Sequence, residues 1–306
     1  MRPHLEFATP RKLPKARDLN GRVVVLDLAF ASEAGGGFDK LTKPLIDGLG
    51  ARLAAWVDHH DHILHAEYKK DPRFVLATKA EHGACPEMIT PEIVARAGVV
   101  ETVVCHNDFD GLCSAAKWIR GGVEPYPGSD DDARAIDTRT GTPSATAVRI
   151  DRALRALRGG AALSGMIVRH LTDGLADRSL WIPIDEAGAQ MAAVEAETRK
   201  VAEKYRVMVA HGDGIDSVAF VDASDFHGKY DKTQLLLLGQ ERAKVALLLD
   251  RDTLSLAAGF ESGLNFLNLL QLSGGMPTVV SVGKGRFTEV LSKLGVGASD
   301  AALIGG

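Results

Sequence analysis

Two kinds of hydrophobic pattern share this chain. Short runs rich in valine and leucine, closed by a polar residue, alternate with longer stretches in which apolar positions recur every three or four residues. The first kind reads as strands buried on both faces of a parallel sheet, the second as helices with one apolar face. Arg22 to Phe30 (RVVVLDLAF) opens the series after a polar, proline-containing lead, and places Asp27 at the carboxyl end of a strand. The turn AGGGF and the helical segment DKLTKPLIDGLGARL follow, then a strand that runs into AAWVDHHDH. RFVLA predicts another strand and PEMITPEIVARAG helical turns. ETVVCHNDFDG predicts a strand breaking into a glycine turn, with LCSAAKWIRGG as the helix after it.

Strands and helices in alternation with short connections define an α/β fold with a mostly parallel, doubly wound sheet, whose ligands bind beyond the carboxyl ends of the strands. From Ser144 to Tyr205 the chain is rich in Ala, Leu, Arg and Glu, and SATAVRIDRALRALRGG and EAGAQMAAVEAETRKVAEKY both carry helical amphipathic spacing. After Arg206, the segments RVMVA, SVAFVDA, KVALLLD and TLSLAAGF read as strands, and the glycine-rich turns LSGGMP and VGKGRF interrupt the end. Two domains follow from this pattern: a first domain with a helical connector over residues 1–200 and a smaller α/β domain over 205–306. A length of 306 residues and 45% hydrophobic content give each a core of its own. No internal repeat is evident.

Composition narrows the partners. Lys and Arg number 36 against 40 Asp and Glu, a net charge of -4, which leaves no electrostatic footprint for duplex DNA or long polymers. A small nucleotide or a short oligonucleotide is the nucleic-acid ligand that fits. Three cysteines without CxxC spacing suggest neither a disulfide framework nor a structural zinc site, and fit a reducing cytoplasm. No apolar run reaches the length of a membrane span, so no export or membrane insertion is expected. Apolar tracts such as LNFLNLLQL suit a core or a homo-oligomeric interface equally.

Chemistry-bearing residues gather at the strand ends. His106, Asp108 and Asp110 alternate where a strand turns into a helix, and adjacent carboxylates repel unless a cation neutralises them. A solvated acidic turn with a helix N-cap would use the same residues. Asp58, His59 and His60 follow the apolar Ala54 to Val57, and imidazole with carboxylate suits Mn, Fe or Zn better than Mg or Ca. A surface histidine cluster is the competing reading, with His62 and His65 as bystanders. Asp27 gains meaning only from this company. Asp137, in a polar turn before the helix near Ser144, is on local grounds equally a turn or N-cap residue. Cys105 and Cys113 flank HNDFDG at positions that suit core packing rather than metal ligation.

Taken together, these residues resemble the DHH phosphoesterases, whose members carry an HxDxDG-type motif, a lone strand-end Asp, the Asp-His-His motif and a further Asp. The resemblance assigns His106, Asp108 and Asp110 to the first, Asp27 to the second, Asp58, His59 and His60 to the third, and Asp137 to the fourth. The HxDxDG-type motif comes after the other two here, so the domain resembles a circularly permuted member. The resemblance implies two Mn2+ ions, with Mg2+ or Co2+ as substitutes: one held by His106, Asp108 and Asp27, the other by Asp110, His59, Asp137 and a shared Asp27. It further implies that Asp58 orients His59, that His60 donates to a phosphate oxygen or leaving group, and that a water bridging the ions attacks phosphorus. Backbone N–H groups from Gly111 to Ser114, at a helix start, would receive a phosphate. Gly274 and Gly275, in a turn that resembles the family's GGGH segment without its histidine, would contact substrate. The implied activity is hydrolysis of short oligonucleotides or cyclic dinucleotides. A phosphomonoesterase or pyrophosphatase-like enzyme and a non-catalytic nucleotide sensor share much of the same pattern.

Overall fold

The computed structural model describes residues 2–32, 36–157 and 160–297, so Ala34 and Gly35 of the AGGGF turn and Arg158 and Gly159 after the first connector helix lie outside the described residues. The chain divides into two compact units, residues 1–191 and 192–306.

The first unit is α/β, built as β1 (His4–Ala8), β2 (Val23–Leu26), α1 (Thr42–Leu49), β3 (Leu53–Asp58), β4 (Asp61–His62), α2 (His65–Tyr68), β5 (Phe74–Leu76), α3 (Pro91–Ala97), β6 (Thr102–His106) and α4 (Phe109–Ile119). Then come α5 (Ser129–Thr138), α6 (Ala145–Leu157), α7 (Ala161–Thr172) and α8 (Trp181–Ala189). Five strands form a sheet in the order β1-β6-β2-β3-β5, and each pairing is parallel. All their carboxyl ends therefore open on one edge.

The apolar runs work because a strand sends alternate side chains to opposite faces. Val24 and Leu26 of β2 join Val57, Val103 and Cys105 in a core with residues of α4 to α8, while Val23 and Val25 join Trp56, Val104 and the α1 residues Leu45, Ile46 and Leu49. Helices on both faces make the sheet doubly wound, as the pattern predicts.

Several elements depart from the sequence reading. The N-terminal lead contains β1, an edge strand whose mixed burial gives no continuous apolar run. The strand expected to reach Phe30 stops at Leu26, because Asp27 takes a left-handed backbone (φ 55°) that ends the ladder. The glycine turn expected at Gly111 is already the first turn of α4. Asp137 lies near the end of a helix, α5, rather than in a turn before one. The long amphipathic helix before Tyr205 is interrupted at Gln190, between α8 and α9 (Met191–Ala202).

One buried polar residue in this unit makes a testable point about stability. His170 of α7 is fully buried, its ring lies edge-on to Trp181 at 4.8 Å, and neither ring nitrogen has a hydrogen-bond partner among the described residues. Burial pushes its pKa below the ordinary value, with Arg149 adding to the shift and Asp177 and Asp173 opposing it. The unfolded chain therefore binds this proton first as pH falls below about 6.5, and the stability contributed by the neutral ring is lost toward the lowered folded value. Thermal unfolding of His170→Leu should fall less steeply than wild type between about pH 7 and 5; parallel slopes would rule out this source of acid sensitivity.

In the second unit, α9 leads into β7 (Arg206–Gly212), β8 (Ile215–Asp222), α10 (Lys232–Gln240), β9 (Val245–Asp250), β10 (Thr253–Ala258), α11 (Phe266–Leu270), β11 (Gly274–Gly275), β12 (Val279–Gly283) and α12 (Phe287–Leu294). Its five-stranded sheet runs β12-β10-β9-β8-β7, with β8 and β9 parallel and the other pairs antiparallel. Strand β12 was not expected, since VVSVG sits between two glycine-rich turns. No helix among the described residues is long and apolar enough to cross a membrane.

Candidate metal centre

Three neighbouring strands, β6, β2 and β3, end in His106, Asp27 and the Asp58-His59-His60 segment, and the parallel sheet brings these ends together. Helix α4 adds Asp108 and Asp110, and α5 adds Asp137. Ligand-type atoms within 4.8 Å of one another form three sets: Asp27 with His106 and Asp108, His59 with Asp110 and Asp137, and Asp27 with His59 and His60.

Asp27 is the common member. Its Oδ1 lies 3.2 Å from His59 Nε2 and its Oδ2 3.6 Å from His106 Nδ1. The side chain is 1% exposed, and Oδ1 has no hydrogen-bond partner among the described residues. Its left-handed backbone is held by Asp27 N–H donating to the Val57 carbonyl at 2.9 Å. A non-glycine residue in this region is sparsely populated, and Asp and Asn are the types that tolerate it. Burial pushes the Asp27 pKa up, but His106 and His59 outweigh it and hold the carboxyl well below its usual range.

His106 Nδ1 lies 2.7 Å from Asp108 Oδ2, while Asp108 Oδ1 accepts from Gly111 N–H at 2.9 Å and so caps α4. The N-cap and the ligand-type readings of Asp108 are thus compatible, one oxygen serving each. Burial lowers the His106 pKa, but Asp108 and Asp27 overcome it and raise it well above the ordinary value.

Asp110, on the buried side of α4, accepts from Cys85 N–H at 3.1 Å and lies 3.3 Å from His59 Nε2. Its pKa is pushed up to about 6, by burial first and by the Asp27 charge second. A buried carboxyl beside a second charged carboxyl favours positive charge next to it.

His59 is oriented by a group the sequence did not indicate. Its Nδ1 donates to the His82 carbonyl at 2.9 Å, which leaves Nε2 facing the acids. Asp58, expected to orient His59, instead holds His60, with Oδ1 2.8 Å from His60 Nδ1. Side chains two residues apart at a strand end share a face, whereas neighbours diverge, so Asp58 reaches His60 and not His59. His65 is buried with its ring 5.1 Å from that of Phe30, a packing position.

Of the expected backbone phosphate donors at the start of α4, Gly111 N–H goes to Asp108 Oδ1 and Leu112 N–H to the Asp108 carbonyl, and Ser114 is fully buried with its hydroxyl 3.5 Å from Asp110 Oδ1. Gly274 and Gly275 form β11 of the second unit, with Gly275 at φ 130°, a backbone only glycine adopts freely. All three cysteines are buried and unpaired, and burial first, then the neighbouring carboxylates, pushes each thiol well up.

Lys79 is the member of this site that the sequence reading missed. It follows β5, the fourth strand end on the same edge, by three residues. Its side chain is 1% exposed, its Nζ stands 3.1 Å from His59 Nε2, and it forms an ion pair with Asp137. Burial opposes positive charge on both Lys79 and His59, and Asp110 favours it on both: the His59 pKa rises to about 10 while that of Lys79 falls. Its one signal in the sequence is position, just beyond the apolar strand RFVLA and so at the same edge as the Asp- and His-bearing strand ends.

The fold and site therefore define an α/β protein with a buried acid and imidazole cluster at the carboxyl edge of a parallel sheet. No protein-family model matches the chain, and no curated protein matches it. Among solved structures, the crystal structure of exonuclease RecJ bound to manganese is similar to this chain with a TM-score of 0.44 and 13% identity, over 92% of this chain and 75% of that one.

Proposed function

We propose that the first unit is a metal-dependent phosphoesterase of the DHH kind, with its motifs in permuted order. The observation that carries this reading is the Asp27 carboxylate, buried beneath two imidazoles with Oδ1 left without a hydrogen-bond partner. A purely structural acid in that place would leave a costly unsatisfied atom, whereas a divalent cation uses it.

Asp27, His106 and Asp108 would hold that ion, and the mix of imidazole with carboxylate favours Mn2+ over Mg2+, with Co2+ as a substitute. When bound it supplies Lewis acidity toward phosphate oxygens and the attacking water. The chain's own residues do the rest. Asp58 holds the His60 ring through Nδ1, which fits His60, more exposed than His59, to move a proton at the leaving oxygen. The His82 carbonyl fixes the direction of His59.

The substrate we favour is a phosphodiester in a short oligonucleotide or cyclic dinucleotide, because a chain with a net charge of -4 gives little attraction to a long polyanion. The test is turnover by metal-stripped protein, with Mn2+ or Mg2+ restored, of a linear dinucleotide, a cyclic dinucleotide, phosphoadenosine phosphate and pyrophosphate. Nucleoside monophosphates released only with Mn2+ present are expected. Free phosphate from the last two alone would make the chain a phosphomonoesterase or pyrophosphatase instead. Silence across the panel with Mn2+ bound would overturn the enzymatic reading.

A further inference from the structure

We infer that Lys79 is the resident cation of the His59, Asp110 and Asp137 set, so that the centre binds one divalent ion beside a fixed ammonium rather than two ions; this rests on the phosphoesterase reading above. A lysine so thoroughly removed from water is expensive unless its charge is used. Here it is used in the space a second ion would need. His59 Nε2 and Asp137 Oδ2 are 3.6 Å apart. An ion bonded to both at about 2.2 Å must lie within about 1.3 Å of the line between them. The ammonium group, paired with Asp137 and 3.1 Å from the imidazole, stands between the same two groups.

The backbone holds Lys79 there. Its N–H donates to Asp61 Oδ2 at 3.1 Å. The turn that carries it is closed by Thr78 N–H and Oγ, both donating to Glu81 Oε2 at 2.7 and 2.9 Å, and by Glu81 N–H and His82 N–H, both donating to the Thr78 carbonyl at 3.0 Å. The same turn presents the His82 carbonyl that orients His59. One loop thus supplies the ammonium and aims the imidazole it meets, which is the organisation of a built site.

The two sets of ligand-type atoms are therefore unequal. Asp27, His106 and Asp108 form no ion pair with a lysine or arginine among the described residues, and fit a divalent ion; the His59 set has an ammonium already in place. The ammonium pairs directly with Asp137 and acts on Asp110 through its charge, but it offers no Lewis acidity, so a water bridging two metals is not part of this centre.

The test is metal content and electron paramagnetic resonance of the full chain loaded with Mn2+ and freed of excess. One Mn2+ per chain with the six-line spectrum of an isolated ion is expected for the wild type, and two per chain with the many-line spectrum of interacting ions for Lys79→Met, which keeps the apolar stem and removes the charge. Two ions in the wild type would overturn the inference and leave the phosphoesterase reading intact. One ion in both proteins would overturn the role given to Lys79. No bound Mn2+ in the wild type would overturn both. Should Lys79→Met fail to fold, the wild-type stoichiometry and spectrum decide alone.

Discussion

Asp27→Asn should lose at least about a thousandfold in turnover, since removal of even an outer partner of a metal ligand costs about 10- to 100-fold, while the chain still folds. The carboxylate is the atom pair shared between the His59 and His106 sides of the cluster, and the amide keeps its volume but not its charge. Asn is also the substitution its backbone allows, because the left-handed conformation at φ 55° tolerates Asn and disfavours most other residues by about 1 kcal/mol or more. Circular dichroism and cooperative thermal unfolding should therefore survive in Asp27→Asn, with Mn2+ affinity and hydrolysis lost together. Turnover close to that of the wild type would remove Asp27 from the centre and the metal assignment with it.

Gly111→Ala should damage fold and site at once. A Cβ at this position would stand 2.3 Å from the His106 carbonyl oxygen and 2.9 Å from the His106 Cβ, closer than such atoms approach, and the obstacle is backbone that cannot rotate away. Helix α4 would have to withdraw from the end of β6, and both carry ligand-type residues. The expected cost is about 3 kcal/mol, at the upper end for overpacking, or a fall of roughly 6 to 12 °C in Tm for a unit of this size. Gly160→Ala, where an added Cβ meets nothing within 4 Å, is the matching control and should leave Tm nearly unchanged. Equal stability of the two variants would show that α4 can yield without penalty.

The glycine of His-Asn-Asp-Phe-Asp-Gly is thus placed by contact rather than by a turn, and it illustrates what the sequence could and could not convey. The strand ends at Asp27, Asp58 and His106 were legible because each follows an apolar run that only a sheet buried on both faces requires. The position of Asp137 was not. Helix α5, SDDDARAIDT, reads as polar loop until its three acids are seen to lie in the first turn, where the helix dipole favours them. Strand β1 escaped because an edge strand needs no unbroken apolar run. Lys79 escaped because TKAEH resembles any solvated turn, and its burial is imposed by neighbours distant in the chain. The orientation of His59 by a backbone carbonyl leaves no trace in side-chain identity at all.

The order of strands also sorts the cluster by reach. Asp27 ends β2, the strand with β6 on one side and β3 on the other, so a short carboxylate suffices there to touch both neighbours. The flanking strands contribute imidazoles, which extend further, from His106 and His59. Strand β5 pairs with β3, and what arrives from beyond its end is a lysine, whose flexible four-carbon stem reaches the His59 ring. Side-chain length rises with distance from the middle of the sheet, so the central strand dictates which residue is shared and the outermost one can act there only through a long arm.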